Sequence, residues 1–299
     1  MKLLFYGIGH HKNLNSIKRM CKSYNIDLVI TNDINLVMKQ DYNILIANKE
    51  YIDPYIINEN IKIIYGPQHW VFPDGSLIGQ LDNKLLDRCV YNSLSKWNNN
   101  VFIEMVGSLI VPIVQFPFSL ETDTFKPFVS ENKNYDCIVY IKRRNNYIVN
   151  KTTEFLNDKK LKYKTFTYGY YNETDYINAL HDCKFMISLD AHESQGFAIE
   201  EAMSCNVPLL VLDATSMHDE TGDGGRSFTY SYLQNKKLYA TSIPYWSDDC
   251  GIKITDINKM NESIDEMLLN YKKYNPREYI LENLSDKICM KRILEYFKL

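Results

Sequence analysis

One segment of the 299-residue chain carries the clearest structural signal, and it reads Glu193-Ser194-Gln195-Gly196-Phe197-Ala198-Ile199-Glu200-Glu201-Ala202-Met203-Ser204-Cys205-Asn206-Val207-Pro208. Apolar stretches lie on both sides of it, at 185–189 and 209–212. This order predicts a strand, a helix whose first turn follows Gly196, and a second strand. The N–H groups of a first helical turn and the positive end of the helix dipole together form an anion site. We therefore expect this segment to bind a phosphate group.

Two carboxylates accompany this predicted anion site. Glu193 lies in the loop before the helix, and Glu201 lies further along the helix. A carboxylate repels phosphate, but it accepts hydrogen bonds from sugar hydroxyls. Phosphate donors next to hydroxyl acceptors indicate a nucleotide-sugar ligand. From these residues alone, an ordinary strand–helix–strand unit with both glutamates in solvent is an equally good interpretation.

The flanking residues favour the nucleotide-sugar. The whole segment resembles the signature of retaining glycosyltransferases with the GT-B fold, the family 4-like or group 1 enzymes related to sucrose and glycogen synthases. The positions that fit are Glu193, Gly196, Phe197, Glu201, Ala202, Met203, Val207 and Pro208. Asn206 stands where the family usually has glycine. This position needs a left-handed backbone, which asparagine adopts more readily than other non-glycine residues.

The rest of the chain alternates short apolar stretches with polar, helix-like ones, which predicts an α/β protein with parallel sheets. The predicted strands are 3–6, 28–30, 44–47, 61–65, 137–141, 163–167, 185–189 and 209–212. Helices are predicted at 15–24 and 53–58, and helical spacing continues beyond Asp256. The resemblance implies a GT-B architecture, in which two Rossmann-like parallel-sheet domains face each other across a cleft.

The resemblance also implies the domain boundaries. An N-terminal acceptor-side domain is expected over residues 1–125, and a C-terminal nucleotide-sugar-binding domain over 134–299. The linker is expected near 120–134, because 111–127 resembles the family's inter-domain segment. The last helix, at 280–297, is expected to cross back to the first domain. The family's next strand after 209–212 is expected at Tyr239–Trp246, and the long polar stretch 213–237 is interpreted as a loop near the donor or a disordered segment.

Composition excludes several classes of function. The net charge of −3 and the pI near 6.1 argue against nucleic acid as the main partner. The seven cysteines form no Cys-x-x-Cys pair, so neither a disulfide framework nor a zinc ribbon is indicated. The longest uncharged stretch, 105–120, contains two prolines and is shorter than the ~20 residues of a membrane helix. We therefore expect a cytoplasmic protein without a transmembrane segment.

Basic residues follow the predicted strand 137–141. The family carries an arginine here and a lysine several residues later, and both bind the donor diphosphate. Fixed cations at this place stabilise the charge that develops on the leaving nucleoside diphosphate. The resemblance implies that Lys142 takes the place of the arginine and Lys151 that of the lysine, with Arg143 and Arg144 as alternatives for either. A solvated basic turn is the competing interpretation.

Other candidate residues follow predicted strands at the ends where parallel sheets bind ligands. His69 resembles the family's histidine over the reacting sugar, and His192 is a second candidate for a sugar contact. Gly9 either faces the ligand or forms only a tight turn. Tyr168 and Gly169 are expected to shape the pocket for the nucleotide base.

The resemblance implies a retaining glycosyltransferase that moves a sugar from a nucleotide-sugar donor to a hydroxyl of a glycan or a small molecule. Glu193 would hold hydroxyls of the donor sugar, assisted by N–H groups near Gly196 and Phe197, and Glu201 would bind the ribose. The leaving phosphate oxygen would accept the proton of the acceptor. We expect neither a metal nor another cofactor, since no Asp-x-Asp motif in a fitting context and no His/Cys cluster is visible. A nucleotide-sugar 2-epimerase and a catalytically silent sugar-binding protein remain alternatives.

Overall fold

The computed structural model describes residues 1–7, 9–48, 50–67, 85, 87–106, 111–128, 133–216 and 238–299. The chain divides into two compact units. The first comprises Met1–Ser119 and Leu284–Leu299, and the second comprises Leu120–Asn283. His69 and residues 217–237 of the predicted loop lie outside the described part of the chain.

The first unit contains a sheet of six parallel strands in the order β2-β1-β3-β4-β5-β6. Its strands are β1 (Lys2–Tyr6), β2 (Asp27–Thr31), β3 (Ile44–Ala47), β4 (Lys62–Tyr65), β5 (Cys89–Asn92) and β6 (Ile113–Val114). Its helices are α1 (His11–Ser23), α2 (Ile34–Met38), α3 (Lys96–Val106) and α9 (Asp286–Phe297). Central strands such as β3 are buried along their whole length, which is why they read as continuous apolar runs in the sequence.

Helix α9 is held in the first unit by a polar network. The Asp286 carboxylate accepts hydrogen bonds from Arg19 Nε at 3.2 Å and from Ser119 Oγ at 2.5 Å. The N–H of Ser119 donates to Ser16 Oγ at 2.6 Å, and both serines are fully buried. These bonds join the end of the first unit's main segment to α1 and α9.

The second unit contains a sheet of five parallel strands in the order β11-β10-β9-β7-β8. Its strands are β7 (Tyr135–Lys142), β8 (Tyr163–Thr167), β9 (Cys183–Asp190), β10 (Leu209–Leu212) and β11 (Gly251–Ile254). Its helices are α4 (Asn146–Asp158), α5 (Glu173–His181), α6 (Phe197–Ser204), α7 (Met260–Asn270) and α8 (Pro276–Leu284). The continuous helix expected over 280–297 is therefore two helices, α8 and α9, which are separated at Ser285.

The strand expected at Tyr239–Trp246 is absent from the described residues 239–246, and β11 lies later, at Gly251–Ile254. The backbone of this segment is engaged elsewhere. Thr241 O accepts from Glu193 N at 3.1 Å, and Ser242 N donates to the Asp213 carboxylate at 2.7 Å. Because these groups bind the ends of other elements, they are not available for a strand ladder.

No helix in the described residues is long and apolar enough to cross a membrane. All seven cysteines are buried free thiols. Burial raises the pKa of the Cys21 and Cys205 thiols to about 12, so they stay protonated at neutral pH.

Helix α6 ends as the sequence predicts, with Asn206 in the left-handed conformation at φ 59°. Its N–H donates to Met203 O at 2.9 Å, and the N–H of Val207 donates to Ala202 O at 3.0 Å. This pair of bonds is the Schellman arrangement of a helix end. The guanidinium of Arg277 donates to Ser204 O at 2.6 Å, which places a cation at the negative end of the helix dipole.

Replacement of Asn206 by alanine should lower the free energy of unfolding by about 1–2 kcal/mol, because alanine lacks the short polar side chain that offsets the cost of a left-handed backbone. Glycine at the same position removes that cost, although both variants lose the bond from Arg277 N to Asn206 Oδ1 at 3.2 Å. Urea unfolding of the two variants measures the difference. Equal stability of the alanine and glycine variants would contradict the backbone explanation.

Candidate functional site

The sheet of the second unit reverses its strand order at β7. From β7 the chain continues to β8 on one side and later to β9 on the other side. Ligands of open parallel sheets bind beyond the carboxyl ends of the strands at such a reversal. The last residues of β7 and β9, Lys142 and Asp190, are paired in register at this place.

Lys142 and Glu193 form an ion pair at this reversal. The Lys142 ammonium donates to the Glu193 carboxylate, and the two side chains are only 12% and 14% exposed. The ammonium also lies 4.5 Å from the centre of the Tyr168 ring. The structure thus brings together three of the predicted site residues, and their charges are largely shielded from water.

The loop before α6 fixes the position of Glu193. Gly196 is the N-cap residue of α6 with φ 99°, a left-handed conformation that glycine adopts without strain. A Cβ at Gly196 would lie 3.5 Å from Glu193 Cβ, so the glycine lies against the glutamate. Phe197 begins the helix. The predicted anion site at the start of α6 and the predicted sugar ligand Glu193 are therefore neighbours.

The charge state of the cluster follows from burial and neighbouring charges. Burial would raise the pKa of Glu193, but the charge of Lys142 and the hydrogen bonds of the surrounding side chains together lower it. Burial would likewise lower the pKa of Lys142, but its ion pair with Glu193 raises it. Burial raises the pKa of Asp190 well above its ordinary value, and the charge of Glu193 adds to this effect. These shifts favour the ionised forms of Lys142 and Glu193 and the protonated form of Asp190.

The other predicted cations occupy different environments. Arg143 is exposed and has a left-handed backbone with φ 53°. Arg144 donates to Asp190 O at 3.0 Å and to Asp213 O at 3.3 Å, so it ties the ends of β9 and β10 together. Lys151 donates to Asn258 Oδ1 at 2.7 Å. Within this set, Lys142 is the cation that the structure pairs with Glu193.

Glu201 is 2% exposed and lies in a helix that is buried along most of its length. Its neighbour Glu200 is also buried and accepts from Gln195 Nε2 at 3.0 Å. A bond from Glu201 to a ribose requires access to its carboxylate, so this role stays a prediction. Gly169 has φ 80° and open space around its Cα, and Tyr168 beside it is half exposed.

Two acidic residues of the site were missed in the sequence. Asp190 ends β9, and Asp213 directly follows β10. The Asp213 carboxylate accepts from Thr241 Oγ1 at 2.9 Å and from Ser242 Oγ at 3.0 Å. The sequence offers one signal for both residues, namely an aspartate at the end of an apolar strand. It does not show which residues they contact.

The first unit has its own reversal of strand order, between β1 and β3. Gly9 follows β1 and Asn48 follows β3. A Cβ at Gly9 would lie 3.2 Å from Asn48 Nδ2 and 3.3 Å from the Phe5 ring, which is tighter than normal packing. Asn48 is 1% exposed, and its Oδ1 has no hydrogen-bond partner among the described residues. Gly9 thus lies beyond the carboxyl end of β1, and its contact with a ligand stays a prediction.

Burial lowers the pKa of His192 to about 4, although the nearby Glu193 charge opposes this shift. The folded protein thus keeps His192 neutral while the unfolded chain takes up a proton below about pH 6.5. The stabilising contribution is present above pH 6.5 and is lost as the pH falls towards 4. The free energy of unfolding should fall with acid by up to about 3 kcal/mol less in His192→Gln than in the wild type.

Urea unfolding at pH 7 and at pH 4.5 tests the His192 prediction. His11→Gln is the matched control, since His11 is exposed at the start of α1. Between pH 7 and pH 4.5, the control should lose as much free energy of unfolding as the wild type. An identical loss in His192→Gln would show that His192 does not cause it.

No group of three or more His, Cys, Asp or Glu side chains in the described residues is arranged to hold a metal ion.

The fold is shared with solved structures. No protein-family model matches the chain, and no curated protein matches it. Sucrose-phosphate synthase from Thermosynechococcus elongatus is similar over 100% of this chain and 98% of that chain, with 8% identity and a TM-score of 0.58. HepE from Anabaena, solved in complex with UDP and glucose, is similar over 100% and 99%, with 12% identity and a TM-score of 0.57.

A third similar structure is the apo form of the lipopolysaccharide outer core galactosyltransferase WaaB. It is similar over 100% of both chains, with 13% identity and a TM-score of 0.54. At such low identity the similarity shows the fold alone. The predicted α/β fold class with two Rossmann-like parallel-sheet domains of the GT-B type is confirmed.

Proposed function

We propose that the protein is a retaining glycosyltransferase that moves a sugar from a nucleotide-sugar donor to a hydroxyl of a glycan or small-molecule acceptor. The observation that carries the proposal is the Lys142–Glu193 pair beside the N-terminus of α6 at the β7/β9 reversal. A nucleotide-sugar offers the phosphate that suits the cation and the helix N-terminus. It also offers the hydroxyls that suit the carboxylate.

The proteins of similar fold support this class of function. HepE was solved with UDP and glucose, and WaaB is a galactosyltransferase. The second unit of this chain contains a cation, a carboxylate and a helix N-terminus at the place where parallel sheets bind ligands. The shared fold and this constellation of groups are independent observations, and both favour a nucleotide-sugar as the ligand.

The Lys142–Glu193 ion pair indicates how the protein would bind the donor. In the free protein Lys142 binds Glu193, and the incoming donor supplies a new partner to each of them. Lys142 would turn to the diphosphate and stabilise the charge that grows on it as the glycosidic bond breaks. Glu193 would accept hydrogen bonds from the sugar hydroxyls. The leaving phosphate oxygen would take the acceptor's proton on the same face of the sugar, so the configuration would be retained.

An α-linked nucleotide-sugar should therefore yield an α-linked product, and the reaction should proceed in the presence of a chelator. A thermal-shift screen of UDP-, GDP-, ADP- and dTDP-sugars first identifies the donor, since a ligand at 100 times its Kd stabilises by about 2.7 kcal/mol. NMR of the product's anomeric proton, with and without EDTA, then tests both statements. An inverted linkage would contradict the retaining mechanism, and loss of activity with EDTA would contradict metal independence.

The same assay separates the rival functions. Isomerised donor in the absence of any acceptor would indicate a 2-epimerase. Binding of the donor without release of the nucleoside diphosphate, with every acceptor tried, would indicate a silent sugar-binding protein.

A further inference from the structure

Asp190 is a fully buried carboxyl group next to the Lys142–Glu193 pair. Its Oδ1 accepts from Ala191 N at 2.7 Å, and its Oδ2 accepts no hydrogen bond from the described residues. Lys142 links the two carboxyl residues, because it is paired in register with Asp190 across β7 and β9 and its ammonium donates to Glu193. A neighbouring carboxylate and full burial both favour the protonated form of a carboxyl group.

The surroundings decide which carboxyl group is protonated. The ammonium of Lys142 forms its ion pair with Glu193, which favours the ionised form of that group. The guanidinium of Arg144 is directed to the backbone carbonyls of Asp190 and Asp213. The titratable and charged groups that the structure places next to Asp190 are Tyr140 and Lys142 of β7, Arg144 after β7, and Glu193 before α6.

We propose that Asp190 is a positioning residue, which is protonated in the folded protein and donates its O–H to the Glu193 carboxylate. Its effect on the donor rests on the glycosyltransferase function proposed above. When Lys142 turns from Glu193 to the diphosphate, the buried carboxylate loses its cation. The O–H of Asp190 remains as a hydrogen-bond donor, so Glu193 stays ionised and keeps its orientation towards the sugar hydroxyls.

NMR of the ligand-free protein tests the proton directly. With ¹³C-labelled aspartate, one side-chain carboxyl signal should remain in the protonated form at pH 7, and Asp190→Asn should remove that signal. Asp136→Asn is the matched control, because Asp136 is the ion-pair partner of Lys184 and its pKa is lowered. The control should remove a signal that is ionised at pH 7. An ionised Asp190 at pH 7 would overturn the proposal.

Calorimetric titration with UDP-glucose tests the effect on the donor. Asp190→Ala should weaken binding by about tenfold or more, the cost of losing a hydrogen bond to a charged group. Asp190→Asn should weaken it less, because the amide still donates to Glu193. Wild-type affinity should also fall as Asp190 loses its proton at high pH, and Asp190→Asn should lack this fall.

Equal loss of affinity in the alanine and asparagine variants would overturn the positioning role. Failure of the wild-type protein to bind UDP-glucose would instead contradict the proposed function for that donor. The NMR titration would still decide whether Asp190 holds the proton, so the two failures are distinguishable.

Discussion

Replacement of Glu193 by glutamine should lower sugar transfer by about a hundredfold or more, the usual effect of removing one preorganised group that stabilises the transition state. Glutamine keeps the shape of the side chain and an oxygen that can accept from Lys142. It lacks the negative charge that attracts the sugar hydroxyls as positive charge develops on the sugar ring. The measurement is the rate of nucleoside diphosphate release with saturating donor and acceptor.

Glutamine is preferable to alanine here because alanine would leave the Lys142 ammonium without its partner in a shielded place. Glu154→Gln is the matched control, since Glu154 is exposed on α4. This control should transfer sugar at the wild-type rate. Wild-type turnover in a folded Glu193→Gln variant would remove Glu193 from the mechanism.

Replacement of Lys142 by alanine should weaken nucleoside diphosphate binding by about 1–3 kcal/mol, the range for a hydrogen bond to a charged group. It should also lower the free energy of unfolding by about 3 kcal/mol, because the Glu193 carboxylate would lose its cation in a shielded place. Calorimetry with the diphosphate and with the parent nucleoside measures the first effect. The nucleoside should bind the variant and the wild type equally.

The neighbouring arginines provide the comparison. Arg143→Ala should change the free energies of diphosphate binding and of unfolding by no more than about 0.5 kcal/mol each, because the Arg143 side chain is exposed. Arg144→Ala should reduce stability, because its bonds tie β9 to β10. Unchanged diphosphate affinity in Lys142→Ala would leave Lys142 with a structural role as the partner of Glu193.

The sequence predicted the local structure correctly where one physical cause dominates. Ile44–Ala47 and Leu209–Leu212 have the predicted bounds, because strands buried on both faces must be continuously apolar. The left-handed Asn206 followed from the chemistry of a helix end. The helix predicted at 53–58 is only a single turn of 3-10 helix at Pro54–Ile56, since Ile57 has an extended backbone.

The site was harder to predict from the sequence, because its residues are brought together only by the order of the strands in the sheet. Lys142 and Glu193 are 51 positions apart, and they meet because β7 and β9 are neighbours. The sequence spacing of Lys151 gave no sign that its ammonium binds Asn258. Asp190 belongs to the same arrangement, since only the register of β7 and β9 shows that it lies opposite Lys142.

The hydrogen bonds of the Asp213 carboxylate have a consequence for the position of Glu193. Asp213 directly follows β10, and its bonds to Thr241 and Ser242 form a stem at the end of that strand. Glu193 N is bonded to that stem through Thr241 O. The backbone of Glu193 is therefore anchored at the carboxyl end of β10 as well as in its own loop. The stem thus couples the end of β10 to the position of Glu193.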